Sequence, residues 1–282
     1  MTSSINPFLV STDWLFDHLE DDDVSIVDGS WYLPAMGRDG RAEYDIAHIP
    51  GAVFFDIDAV VQENSPLPHT LATADEFARH VGKLGIKSSD TIVVYDGAGL
   101  FSAPRVWWNF RQMGAAKAVI LDGGLPKWVE DRLPVESGSA PIYPTLYDHR
   151  GESAAVVSFD AMTAHVNAGD VQIVDARPAG RFTGEEPEPR PGMRSGHMPG
   201  AKSLPASKLI KDGRLRSLPG LQSEFETAGV NISQPVVTTC GSGVTAATLA
   251  LALESLNAPS VRIYDGSWSE WGGREDTPIE TY

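Results

Sequence analysis

Cysteine occurs once in these 282 residues, at position 240. That excludes an intramolecular disulfide and leaves no Cys-x-x-Cys pair for zinc or redox work, so a reducing compartment is the easier setting. Basic charge is scarce as well. With 22 Lys and Arg against 38 Asp and Glu, the formal net charge is −16, which argues against the basic surface that nucleic acid or an anionic membrane rewards. The same field repels small anions, so an anionic substrate would need local arginines. Long apolar runs are missing too: the longest, residues 244–253, is too short to span a bilayer. The opening Met-Thr-Ser-Ser-Ile-Asn-Pro has neither a basic region nor an apolar run, so no signal peptide is expected and a soluble cytoplasmic protein is.

What the chain does have is enough apolar residues, 42%, to bury a sizeable core, and a length that favours two domains. The two halves repeat. Ile26-Val27-Asp28 recurs as Ile173-Val174-Asp175, 147 positions on, and His48-Ile-Pro-Gly-Ala52 recurs as His197-Met-Pro-Gly-Ala201 after 149. Val93-Val94 with Val236-Val237, Asp122-Gly123 with Asp265-Gly266, and Trp128 with Trp271 share an offset of 143. A period this long means two like domains rather than a solenoid. The expected boundaries are a first domain at 8–136, a linker at 137–155 with Ser, Gly and Pro composition, and a second domain at 156–282. Within each half, β-branched runs (25–28, 91–95, 118–122) alternate with segments of helical period (75–84, 103–113). The fold class is therefore α/β, each domain a mainly parallel sheet flanked by helices. Duplicated residues read as structural: Asp28, Asp122, Asp175 and Asp265 as turns or caps, His48 and His197 as parts of a packing motif, the tryptophans as core.

The chemistry lies where the halves differ. Ligands gather at the carboxyl ends of strands in such sheets, and Cys240 ends the apolar run 235–239 before Gly241, Gly243 and a helix over about 244–256. Glycines let the loop amides turn inward, and a helix N-terminus adds positive charge, both of which favour a thiolate. Read alone, the residue fits a small buried hydrophobe about as well. The 143 offset sets Gly97 opposite Cys240, so the first half carries no nucleophile and is a silent copy. The second half also carries Gly180-Arg181-Phe-Thr-Gly-Glu-Glu-Pro-Glu-Pro-Arg190. Its composition suits a surface loop, while its two flanking arginines suit a planar fork for a carboxylate. Taken alone, His69 between Pro68 and Thr70 reads as an exposed loop histidine.

Taken together, the Cys-Gly-Ser-Gly-Val-Thr-Ala loop, the paired His-x-Pro-Gly-Ala motifs, Gly-Arg-Phe with Glu-Pro-Glu-Pro-Arg, and Tyr-Asp-Gly-Ser-Trp-Ser-Glu-Trp resemble the tandem rhodanese superfamily over nearly the whole chain. The resemblance implies two rhodanese-like domains and a persulfide-forming nucleophile at Cys240, in a loop of Gly241, Gly243, Val244 and Thr245. It implies Arg181 and Arg190 as substrate-binding residues, and a polar relay of Ser242 with His69 and Asp58 from the first domain. Thiosulfate-using members carry Arg and Lys after the cysteine. Here Gly241 and Ser242 stand there, which suits a donor with a remote carboxylate, 3-mercaptopyruvate, better than a dianion. The implied acceptor is cyanide or a thiol such as thioredoxin or a small thiol, with no cofactor and no metal. Thiosulfate:cyanide transfer and a non-catalytic scaffold are the alternatives. A cysteine phosphatase wants Cys-x5-Arg, and Ala246 occupies that arginine position.

Overall fold

The structure, a computed structural model, describes residues 6–139, 141–151 and 153–282. Residues 1–5, on which the reading of a leader rests, and Ala140 and Glu152 of the expected linker lie outside the described residues. Two compact units emerge. The first comprises Met1–Asn64, Leu71–Ser153 and Asp212–Leu215; the second comprises Ser65–Thr70, Ala154–Lys211 and Arg216–Tyr282.

Each unit is built on a five-stranded parallel sheet, and the repeat in sequence is a repeat in topology. Across the first sheet the strands run Leu9–Val10, Lys117–Leu121, Thr91–Tyr95, Val24–Asp28, Val53–Phe54. Across the second they run Val156–Val157, Val261–Tyr264, Val236–Thr239, Gln172–Asp175, Lys202–Ser203. The central strands Thr91–Tyr95 and Val236–Thr239 are apolar or Thr throughout because helices cover both faces of a parallel sheet. Helix Ala74–Lys83 starts from a capping box, with Thr73 and Glu76 satisfying each other's backbone N–H. Helix Ala246–Ser255 is Ala- and Leu-rich, and all of it but Glu254 is buried, as a core helix should be. Among the described residues no helix is long and apolar enough to cross a membrane.

Linker composition did not make residues 141–151 a free tether. Tyr147 is buried against Phe77 and Phe110, with ring centroids 5.6 and 6.2 Å away. The Thr145 N–H donates to the Gly82 carbonyl, and a Cβ at Gly82 would lie 2.5 Å from Thr145 O. The segment thus returns along the first unit, and Gly82 gives it room. The two His-x-Pro-Gly-Ala motifs behave alike: His48 Nδ1 pairs with Tyr44 O at 2.7 Å and His197 Nδ1 with Phe182 O at 2.8 Å. Each imidazole also stacks on the ring of that residue.

One alignment needs correction. Asp28 pairs in register with Tyr95, and Asp175 with Thr239, so the residue opposite Cys240 is Asp96 rather than Gly97. Two backbone bonds agree: Leu125 N–H to Asp96 O at 3.1 Å and Trp268 N–H to Cys240 O at 2.9 Å. The following helices start at Ala103 and Ala246, so the second loop is one residue shorter. An offset of 143 holds only beyond it. Asp96 is fully buried, and its Oδ2 accepts the N–H groups of Phe101, Ser102 and Ala103 at 2.7, 2.9 and 2.8 Å, while Oδ1 accepts that of Ala98 at 2.9 Å. The first unit therefore fills its loop with an acidic side chain that accepts four backbone N–H groups. Asp96→Ala should leave those four donors unpaired and lower unfolding free energy by about 3 kcal/mol or more, read from urea midpoints. An unchanged midpoint would show that the loop does not depend on Asp96.

Candidate functional site

Strand Val236–Thr239 delivers Cys240 to the carboxyl edge of the second sheet, where it is 2% exposed. Gly243 turns the loop with φ +84°, a backbone conformation that favours glycine. Val244 is buried beside it, and Thr245 precedes helix Ala246–Ser255. The residues that fix this loop come from the segment before and within helix Ser267–Trp271. Ser267 Oγ accepts the Cys240 N–H at 3.3 Å and donates to Tyr264 O at 2.9 Å. The N–H and the hydroxyl of Ser269 both donate to Gly241 O, at 2.9 and 2.6 Å. Arg190 Nη1 donates to Ser269 Oγ at 3.3 Å, which brings the second predicted arginine to the same loop.

Arg181, on helix Ala179–Thr183, reaches the loop from the other direction. A Cβ on Gly241 would lie 3.0 Å from its Nη2, so the missing side chain at 241 makes room for the guanidinium. Its partner is Glu188, which receives Arg181 Nε at 3.1 Å and also Nη2. Pro187 and Pro189 restrict the backbone on either side of Glu188, and its side chain is only 3% exposed. Glu188 Oε1 also accepts from Arg177 Nη1 at 2.7 Å. Arg177 forks onto Asp175 through Nε and Nη2 and lies over the Trp268 ring, 4.2 Å from its centroid. Burial opposes the Arg177 charge, yet Asp175 and Glu188 outweigh it and raise its pKa.

His69, expected from the first domain, belongs instead to the second unit, where its Nδ1 lies 2.9 Å from Ser242 Oγ and both side chains are buried. The exposed loop histidine expected from its neighbours is thus corrected: His69 is 5% exposed and held at φ +60°, where a residue with a Cβ is strained. Asp58 belongs to the first unit, is exposed, and accepts the Trp31 Nε1–H at 3.0 Å. Among the described residues no three His, Cys, Asp or Glu side chains are grouped as metal ligands would be.

Residues 11–131 and 158–274 both match the rhodanese-like domain. The chain belongs to the rhodanese family. Its relatives include the 3-mercaptopyruvate sulfurtransferase of Escherichia coli, 42% identical over 274 residues, covering 97% of this chain and 98% of that one. A thiosulfate sulfurtransferase of Gallus gallus is 38% identical over 270 residues, covering 93% and 92%. The crystal structure of SseA from Escherichia coli, described as a 3-mercaptopyruvate sulfotransferase, superposes with a TM-score of 0.86 at 40% identity, covering 93% of this chain and 99% of that one.

Four residues of this rhodanese site escaped the sequence reading: Arg177, Glu188, Ser267 and Ser269. The repeat held the signal. Arg177 stands opposite Ser30, and Ser267 and Ser269 stand opposite Gly124 and Pro126. Gly124 has φ +56° and Ser267 has φ +50°, so the second unit puts a hydroxyl where the backbone prefers glycine. Strain of this kind costs about 1–3 kcal/mol, close to the value of the two hydrogen bonds that hydroxyl makes. Ser267→Gly should therefore leave thermal stability nearly unchanged while slowing alkylation of Cys240 several-fold, since its N–H loses an anchor. A large stability loss with unaltered alkylation would make Ser267 a residue of the fold alone.

Proposed function

We propose that this chain is a cytoplasmic sulfurtransferase that takes sulfur from 3-mercaptopyruvate onto Cys240 and passes it to a thiol or to cyanide. The observation that carries the reading is the Cys240 loop itself. It has no side-chain cation at Gly241 or Ser242, and two arginines approach it from the 180–190 segment. Such a loop offers directed donors to a carboxylate set away from the reacting sulfur, rather than a dense cationic pocket for a dianion.

In the first half-reaction the Cys240 thiolate attacks the mercapto sulfur. A new S–S bond forms, the carbon–sulfur bond breaks, and its electron pair leaves on pyruvate enolate, which is then protonated. Arg181 and Arg190 hold the carboxylate and the oxygen on which charge develops. The His69–Ser242 pair manages the proton, within the relay to which the family resemblance adds Asp58. In the second half-reaction an acceptor thiolate or cyanide attacks the outer sulfur and returns the Cys240 thiolate, giving ping-pong kinetics. Thiosulfate transfer is the second reading, favoured by the relative of that activity at 38% identity.

Intact mass after mixing with 3-mercaptopyruvate should rise by one sulfur atom and return to the starting value with cyanide. Cys240→Ser should show neither change while folding normally; a mass gain in that variant removes Cys240 from the mechanism. His69→Ala should slow loading by 3-mercaptopyruvate about 10²-fold or more, because enolate formation requires proton transfer, and should spare discharge by cyanide. Rapid-mixing measurements of the two half-reactions decide this, and equal slowing of both would exclude the pair from proton transfer.

A further inference from the structure

The second unit buries a row of four charges: Asp175, Arg177, Glu188 and Arg181, joined by ion pairs with side chains no more than 15% exposed. Two are positive and two negative, so the row is neutral. Among the described residues the first unit has no such row, for Asp28 faces Ser30 where Asp175 faces Arg177, and burial pushes the Asp28 carboxyl up to about 6. The row therefore accompanies the cysteine rather than the fold. Its last member, Arg181, is the one that lies against Gly241. A guanidinium has five N–H donors, and the bonds to Glu188 use two of them. Arg181 thus brings directed donors to the loop while its charge is already matched by Glu188.

We propose that Glu188 is a specificity-determining residue: by neutralising Arg181 beside the Cys240 loop, it makes the site select a singly charged planar anion over a doubly charged one. The inference rests on Cys240 being the reacting group, as in the function proposed above. A glutamate that served only as structural cement would hold Arg181 in place without setting the net charge that an incoming anion meets. The two roles separate when charge is changed at constant shape.

Because Cys240 is the only thiol, alkylation of the full chain reads this site alone. Iodoacetate and iodoacetamide differ by one negative charge and little else in size. Glu188→Gln should raise the ratio of the iodoacetate rate to the iodoacetamide rate about tenfold at low salt, and the gain should shrink as salt is added. Glu188→Asp, which keeps the charge, should retain the parent ratio. Arg181→Gln, a second variant that holds even if Glu188→Gln folds poorly, should lower the ratio. Equal changes in both rates, or the same rise in Glu188→Asp, overturn the proposal. With sulfur donors, Glu188→Gln should raise the thiosulfate to 3-mercaptopyruvate ratio of kcat/KM by about tenfold, and an unmoved ratio overturns the role in donor choice. If the parent takes no sulfur from 3-mercaptopyruvate, the function proposed above fails, while the alkylation comparison still tests Glu188.

Discussion

The loop between the central strand and its following helix has a surplus of backbone N–H groups, and in the first unit the Asp96 side chain takes four of them. A helix start leaves several amides without intrahelical acceptors, and in a buried loop water does not supply them. The first unit meets the demand with Asp96, whose carboxylate accepts four of them and never leaves. The second unit puts Cys240 at the same point of the sheet, in a loop one residue shorter. One unit carries an aspartate side chain there and the other a cysteine. Of these two equivalent positions, only the second holds a thiol.

The Cys240 loop is also tied down, by side chains that the first unit replaces with glycine and proline. Ser267 and Ser269 tie Cys240 and Gly241 to the segment after strand Val261–Tyr264, where the first unit has Gly124 and Pro126. Proline at 126 has neither an N–H nor a hydroxyl, so the equivalent of the Ser269 bonds cannot form there. Trp268 contributes twice: its backbone holds the Cys240 carbonyl and its ring carries the Arg177 guanidinium. Through Arg177 and Glu188, the same support reaches Arg181. The loop, the tryptophan and the buried charges form a connected set, in which each member fixes the position of the next.

The buried row also resolves a conflict set by composition. A chain with a net charge of −16 repels anions, and an unpaired arginine near the cysteine would be the simplest remedy. Pairing Arg181 with Glu188 gives up that attraction and keeps the geometry. Burial makes the pairing costly unless every charge is matched and hydrogen-bonded, which explains why four charges rather than two are found together. Pro187 and Pro189 help by restricting the backbone around Glu188, so less freedom is lost when its side chain is ordered.

Much of this was fixed locally. Alternating β-branched and helical runs, the duplicated motifs and the glycines after Cys240 determined two α/β units, the strand-to-helix placement of the cysteine and the family. The arginines of the 180–190 segment were legible from residue type alone. Other features depended on contacts that spacing does not encode. Sequence counting set Gly97 opposite Cys240, since a one-residue difference in loop length is invisible until strand register shows Tyr95 opposite Thr239 in the repeat. His69 looks exposed beside Pro68, yet a left-handed backbone brings its ring to Ser242, 173 residues away in the chain. A loop of Glu and Pro reads as surface because charge is ordinarily solvated, and only the fold supplies the two guanidinium groups, one buried and one partly exposed, that let Glu188 turn inward. Periodicity and composition decide which face of an element is buried; which charges meet inside is decided by the tertiary structure, because a buried charge is stable only beside its partner.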